Sequence, residues 1–515
     1  MGVHTIKIKK ITELIRKIHK PFLTTYIRCC QTTMHYFTLP QSPINTYKHI
    51  KIDSRKSSPP VFLSQSICSY INDIKEKIST REREWDVYKK YTNPYEYIHS
   101  IVPQKKKSIS KYKPISRSYF KMMEMISEFK LDQVESGDKM STFHLAEGPG
   151  GFIEAICNKR SNPEDKYTGM TIIIDATDDN IPAWHKTSHY LSNHPNINIE
   201  CGYDGTGDLL YMKNFEYCVK KYGSSMDLIT ADGGFDFSKD FNRQEISITN
   251  LLWGQVCYAV CLQKKGGNFI LKIFDIFYEH TVHILYVLSA FYENVHLCKL
   301  KTSRVGNSEK YIVCKGFHFP LYYEFYSIIR ESFASICKQK DTVNIRCLST
   351  FDVFAKECSF DNAVDDVCVW KILDHEIPRH FTKYIEDINA TFGQQQIENI
   401  HFTLSLIDKH LKQDRIDQLV KQNIAKCINW CIEYSIPYNN FSVTNVFDSV
   451  LPTKQSTVVS HTRTLENHPI TPTEKKNETN TYSRLDSLRE NTDAIAKRGA
   501  LTEGSPDVNH FQRTI

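Results

Sequence analysis

The chain has 515 residues, 41% of them hydrophobic and 12% aromatic, enough to bury a large core and to form two or three domains. Its net charge of +6 is too mild to imply a nucleic-acid partner, so that question passes to local charge runs. Sixteen cysteines are scattered without a single C-x-x-C pair, which excludes zinc-ribbon spacing and a disulfide framework and predicts a reducing, intracellular setting.

In chain order, residues 1 to 65 lack a clean period and contain the breaker cluster SRKSSPP (Ser54 to Pro60). The first twenty residues hold six basic groups against one glutamate, a composition shared with transit peptides. The start MGVHTI fails the myristoylation pattern, because Ile6 stands where a Ser or Thr is needed. Ile67 to about Tyr91 reads as a charged helix. From Pro103 to Lys121 come six lysines and one arginine with no acid, a run that suits phosphates but equally suits a solvated face. SRSYFKMMEMISEFKL then reads as an amphipathic helix with Tyr119, Met122, Met123 and Ile126 inward.

Short apolar runs next alternate with helical stretches. Strands are predicted at Thr142–Ala146, Met170–Ile174, Ile197–Cys201, Met226–Ala231, Asn268–Phe274, Val295–Leu300 and Tyr311–Lys315. Helices are predicted at 151–159, 212–221, 244–264 and 278–292. This alternation predicts an α/β fold, a mainly parallel seven-stranded Rossmann-like sheet with helices on both faces. The last two strands are joined by about ten residues with Gly306 and Asn307, a hairpin that makes the final strand antiparallel. Four regions follow: an N-terminal extension (1–65), the α/β domain (66–320), a mostly helical region (321–450) and a disordered tail (451–515). Cys257/Cys261 and Cys427/Cys431 sit at helical spacing and are expected to be buried free thiols. No apolar run approaches the ~20 residues of a membrane span, so no membrane partner is expected.

Chemistry concentrates in five places. FHLAEGPGGFIEA (Phe143 to Ala155) places a glycine turn between a strand and a helix, where Gly148, Gly150 and Gly151 give a ligand room and the helix start offers N–H groups. It lacks the full G-x-G-x-x-G, which weighs against a nicotinamide-dependent oxidoreductase. Asp175 and Asp208 lie at or just beyond strand carboxyl ends, where α/β sheets bind ligands; either could instead be a loop or capping acid. Lys121, Asp232, Lys272 and Glu309 stand in distinctive contexts, and Lys272 is set inside the apolar strand NFILKIF, where a lone lysine is costly. Each of the four alone is an ordinary surface or turn charge; their order as a set is not.

The segments YKPISRSYFKMMEM, FHLAEGPGGFIEA, DGTGDL, MDLITADGGFD, GGNFILKIFD and TSRVGNSEKYIVCKGF, from about residue 90 to 320, resemble the FtsJ-like ribose 2′-O-methyltransferases, and more closely their cap-specific mRNA branch. The resemblance implies a catalytic tetrad of Lys121, Asp232, Lys272 and Glu309. It implies S-adenosylmethionine as cofactor, at Glu147, Gly148, Pro149, Gly150, Gly151, Phe152 and Asp208, with Asp175 a poorer match. It also implies capped mRNA as the acceptor, with other capping enzymes or an RNA polymerase as candidate partners. Lys105, Lys106, Lys107, Lys113, Arg117 and Arg304 would meet the RNA phosphates. Methylating a ribose hydroxyl needs a group that helps remove its proton and holds the oxygen in line. A lysine suits both tasks, because desolvation or a neighbouring cation eases loss of its proton. No metal is expected. The Asn/Lys/Ile-leaning composition resembles that of a large cytoplasmic DNA virus protein, which would place it in the cytoplasm or virion; a cellular enzyme would be nuclear. Alternatives are a methyltransferase of internal rRNA or tRNA riboses and a catalytically silent RNA-binding subunit.

Overall fold

The computed structural model describes residues 35–134, 138–173, 184–234, 241–337, 367–408 and 413–441. Its strands are β1 (His35–Thr38), β2 (Ile50–Arg55), β3 (Ser141–Leu145), β4 (Lys166–Met170), β5 (Ile197–Ile199), β6 (Met226–Ala231), β7 (Gln263–Ile273), β8 (Tyr292–Lys299), β9 (Lys310–Phe317) and β10 (Cys368–Leu373). The helices are α1 (Gln65–Ser79), α2 (Glu82–Thr92), α3 (Ser118–Phe129), α4 (Gly151–Arg160), α5 (Ser188–Asn193), α6 (Met212–Tyr222), α7 (Gln244–Ser247), α8 (Thr249–Leu262), α9 (Glu279–Phe291), α10 (Tyr326–Ala334), α11 (Arg379–Asp408) and α12 (Gln413–Glu433).

Eight strands form one sheet in the order β1-β8-β9-β7-β6-β3-β4-β5. β3 pairs parallel with β4 and β6, β4 with β5, and β6 with β7. β9 slots antiparallel between β7 and β8, as the short hairpin requires. The parallel part of this sheet starts at β3, runs outward through β4 and β5, then crosses back to β6 and β7. The direction of winding therefore reverses between β3 and β6, and the crevice outside their carboxyl ends is where such sheets take ligands.

Alternation along the strands supplies two cores. Ile229, Phe269, Leu271, Ile312 and Cys314 face one layer, with Phe215 of α6 and Trp253 of α8. Leu228, Ile270, Tyr311 and Val313 face the other, with Phe120 and Met122 of α3, Phe152 of α4 and Trp430 of α12. α8 reads TNLLWGQVCYAVCL, apolar on every side, and is buried along almost its whole length.

Four expectations need correction. The strand expected at Met170–Ile174 lies four residues earlier, at Lys166–Met170. Its pairing with β3 starts at Ser141 opposite Lys166, and Ile172 and Ile173 emerge beyond the sheet end, 41% and 44% exposed. The sheet has an eighth strand, because β1, from the supposedly irregular N-terminal region, adds antiparallel to β8. The helical C-terminal region contains β10, which pairs antiparallel with β2. The single helix expected near 67–91 is two, α1 and α2, separated at Thr80–Arg81. α11 packs against both. Cys257, Cys261, Cys427 and Cys431 are buried free thiols. The predicted tail at 451–515 lies outside the described residues.

Candidate active site

The four charged residues meet at the switch point. α3 buries its apolar face, and Lys121, on that helix, is itself only 6% exposed. Its Nζ donates to Glu309 Oε2 at 2.7 Å. Glu309 stands immediately before β9, and its other carboxylate oxygen accepts a hydrogen bond from the Ser303 hydroxyl. Burial opposes ionisation of Glu309. The ammonium groups of Lys121 and Lys272, with the hydrogen bonds from Lys121 and Ser303, outweigh it and hold the carboxyl well below the usual carboxylate range.

Asp232 follows β6 directly, and Lys272 projects from β7. Lys272 Nζ lies 3.2 Å from Asp232 Oδ1 and donates to the Asp232 carbonyl at 2.6 Å. Gly234 keeps this corner open, since a Cβ there would sit 3.2 Å from the Lys272 ammonium. The sequence reading missed Tyr311. It lies directly opposite Lys272 in the β7–β9 ladder. Its phenol donates to Asp232 Oδ1 at 2.8 Å and lies 3.4 Å from Lys121 Nζ, so it joins the two ion pairs. Burial, then the Asp232 and Glu309 charges, push this phenol well above its ordinary pKa, and it remains a donor. Strand alternation was the available signal: residue 311 must share a face with residue 309.

Glu124 was also missed. One turn along α3 from Lys121, its carboxylate accepts the backbone N–H groups of Lys301 and Thr302 at 2.7 and 2.8 Å and Trp430 Nε1 at 3.2 Å. It thereby pins the loop that delivers Ser303 and Glu309, and burial pushes it up to about 7.

Beside this cluster, β3 runs into the glycine turn. Gly150 has φ +109°, a left-handed conformation that glycine tolerates, and it precedes α4. Gly151 permits close packing on the start of α3, because a Cβ would fall 2.2 Å from Ser118 Oγ and 2.4 Å from Ser116 Oγ. The helix start is less open than expected. Glu147 Oε1 accepts the N–H groups of Phe152 at 2.7 Å and Ile153 at 3.2 Å, so a buried side chain satisfies two of the first-turn donors. Burial, with Asp232 nearby, pushes Glu147 up to about 8 despite those two bonds. Phe152 points into the core beside Tyr311, so only its main chain faces the turn.

Thr187 Oγ1 donates to the Pro149 carbonyl at 2.6 Å. The Trp184 ring lies 3.4 Å from where a Gly150 Cβ would be, and its buried Nε1 has no hydrogen-bond partner. Asp208 is half-buried in the loop after β5, with Oδ1 accepting Leu210 N at 2.9 Å. Gly207 lets that loop press on the end of β4, where a Cβ would meet the Thr171 carbonyl. Asp175 lies outside the described residues. Lys105, Lys106, Lys107, Lys113 and Arg117 are exposed along the chain that leads into α3. Arg304 differs from them: its guanidinium is engaged by Glu96 at 3.0 and 2.8 Å.

A sheet of this order, with one antiparallel strand between the last two parallel ones, is the Rossmann-like methyltransferase architecture. Residues 114–317 match the family described as FtsJ-like methyltransferase. The chain is 24% identical over 312 residues to cap-specific mRNA (nucleoside-2′-O-)-methyltransferase 2 of Drosophila melanogaster, covering 56% of this chain and 42% of that one. It is 28% identical over 265 residues to the protein of the same name from Pongo abelii, covering 47% and 32%. It is 42% identical over 174 residues to cap-specific mRNA (nucleoside-2′-O-)-methyltransferase 1 of Trypanosoma brucei brucei, covering 33% and 45%. The chain thus spans less than half the length of each of these relatives. Among the described residues, no helix is long and apolar enough to cross a membrane.

Proposed function

We propose that the chain is a cap-specific mRNA ribose 2′-O-methyltransferase, acting on the first transcribed nucleotide. The reading rests on the paired charges Lys121–Glu309 and Asp232–Lys272, joined through Tyr311 and set beside the glycine turn at the switch point. The turn fits S-adenosylmethionine. Gly150 keeps the main chain of the turn bare at a φ of +109°, where an L side chain would be strained, and the Trp184 ring lies beside it. When bound, the cofactor supplies a methyl carbon made electrophilic by its sulfonium.

The acceptor side falls to the tetrad. Lys272 donates one hydrogen bond to the Asp232 carbonyl and is ion-paired with its carboxylate, which leaves ammonium donor capacity for a ribose 2′-oxygen. A hydrogen bond to that oxygen orients the nucleophile and stabilises its developing charge, while the hydroxyl proton is released to solvent water. Glu309 and Lys121 hold a second, opposite-signed pair next to it. The resulting charge balance keeps the buried lysines from repelling one another. Lys105, Lys106, Lys107, Lys113 and Arg117 supply the phosphate contacts. Arg304, engaged by Glu96, belongs with the scaffold of this site. In this reading residues 66–320 form the catalytic domain, and 1–65 and 321–450 brace it. Capped mRNA is the partner, in the cytoplasm for a viral enzyme and the nucleus for a cellular one.

The test is transfer of labelled methyl from S-adenosylmethionine to short RNAs carrying a methylated cap, an unmethylated cap or a bare triphosphate, with nuclease mapping of the product. The expected label is on the first-nucleotide ribose of capped RNA. Cap-independent labelling would move the substrate to internal rRNA or tRNA riboses. Cofactor binding without transfer would overturn the catalytic reading.

A further inference from the structure

We propose that His49, Asp374 and His375 form a binding site for a divalent transition cation of the zinc class. None of the three belongs to the methyltransferase site. His49 immediately precedes β2, and Asp374 and His375 immediately follow β10. These strands pair antiparallel with Leu373 opposite Ile50, and the Asp374 N–H donates to the His49 carbonyl at 3.0 Å. The backbone ladder itself therefore brings the three side chains together, across 325 residues of sequence.

The ligand atoms already converge. His49 Nδ1 lies 3.1 Å from Asp374 Oδ1, and His375 Nδ1 lies 3.9 Å from the same oxygen. All three lie within 4.8 Å of one another, and the imidazole centroids are 4.6 Å apart. Ligand bonds to zinc are about 2.0–2.2 Å long, so tetrahedral ligand atoms stand roughly 3.3–3.5 Å apart. Small side-chain rotations would bring these atoms to that spacing. A second observation points the same way. His375 Nδ1 is shut off from solvent and has no hydrogen-bond partner, and 3.9 Å is too long for a bond to Asp374. A buried ring nitrogen without a partner is costly, and a cation between it and the carboxylate would satisfy it. The His375 ring packs edge-on to Tyr286 of α9, which limits its rotation.

The donor set selects the ion. Two imidazoles and one carboxylate suit zinc, cobalt, nickel or copper, whereas magnesium and calcium favour oxygen ligands throughout. His49 and Asp374 are 49% and 48% exposed in their side chains, which leaves water or an outside ligand to complete the shell. Nearby Lys371 is paired to Glu279 at 2.8 Å, so its charge is balanced. A cation here would clip the start of β2 to the end of β10 and stabilise the folded chain by linkage.

The chain contains 20 histidines, so the test must separate this cluster from the rest. Full-length protein stripped with a chelator would be titrated with zinc against a chromogenic competitor, and with cobalt followed by visible absorption. Wild type should take up one more equivalent than His49→Gln/His375→Gln, with a tetrahedral or five-coordinate cobalt band that the double variant lacks. Asp374→Asn preserves shape and should weaken that equivalent by on the order of tenfold or more. Zinc should raise the unfolding midpoint of wild type and not of the double variant, with circular dichroism confirming that all variants fold. Equal stoichiometry and affinity in wild type and folded variants would overturn the proposal.

Discussion

The two halves of the candidate site are built by opposite means, and two glutamates display the difference. Glu147 is buried and Glu309 largely so, and burial alone would push both toward the neutral acid. Around Glu309 the tetrad gathers side-chain charge, and the two lysine ammonium groups overturn the burial cost. Around Glu147 burial comes first and Asp232 adds to it, and together they outweigh two backbone N–H groups and the weaker pull of the Lys272 ammonium. In the proposed function, a fixed carboxylate thus stands on the acceptor side, where charge must be balanced. In the same proposal, a largely uncharged backbone wall stands on the donor side, where a cationic ligand would pass close to main chain.

The sharpest way to break this division is Glu309→Gln. It removes the charge that balances Lys121 and Lys272 while keeping shape. Single-turnover methyl transfer should fall by about 10²–10³-fold with cofactor affinity nearly unchanged. A loss under threefold would show that the tetrad's charge balance is dispensable. Next in size, Gly150→Val places a branched residue at φ +109°, which costs about 1–3 kcal/mol of strain, and sets its side chain against Trp184 and Thr187. Cofactor affinity measured by calorimetry should drop by roughly tenfold or more. Unchanged affinity would move the cofactor away from the turn.

The smallest effect is on pH. Glu147 has a folded-state pKa of about 8, raised above the ordinary 4.5. Its contribution to stability is fully present below the unfolded pKa, declines as pH rises between the two values, and is gone once pH passes the folded one. The urea midpoint of wild type should therefore fall more between pH 5 and 9 than that of Glu147→Gln. Parallel curves would contradict the raised pKa.

What could be read from the sequence follows the same divide between local and remote. The tetrad and the glycine turn were legible because each residue carries its context with it, as in LITADGG or NFILKIF. β6 was legible to the residue because its whole apolar run is the buried strand. β4 was not. The apolar run Thr171–Ile174 attracted the strand, yet pairing uses the mixed Lys166-Tyr167-Thr168-Gly169 and leaves Ile172 and Ile173 exposed beyond the sheet end. β1, β2 and β10 escaped because their stability comes from partners far along the chain: His35 pairs with Lys299, and Ile50 with Leu373. The His49–Asp374–His375 cluster was invisible for that reason. Glu147 was expected beside the ligand, but only the structure reveals that its carboxylate caps α4. Tyr311 was within reach, since alternation along β9 places it with Glu309, but a tyrosine in an apolar strand reads first as core.

The most direct test of the account is Lys272→Ala, with methyl transfer to capped RNA and S-adenosylmethionine affinity measured on the same preparation. The account predicts that transfer is abolished while affinity stays within a few-fold, because Lys272 serves the acceptor and the turn holds the donor. Retained transfer would contradict the role given to Lys272, and a joint collapse of transfer and affinity in a folded variant would contradict the division of the site.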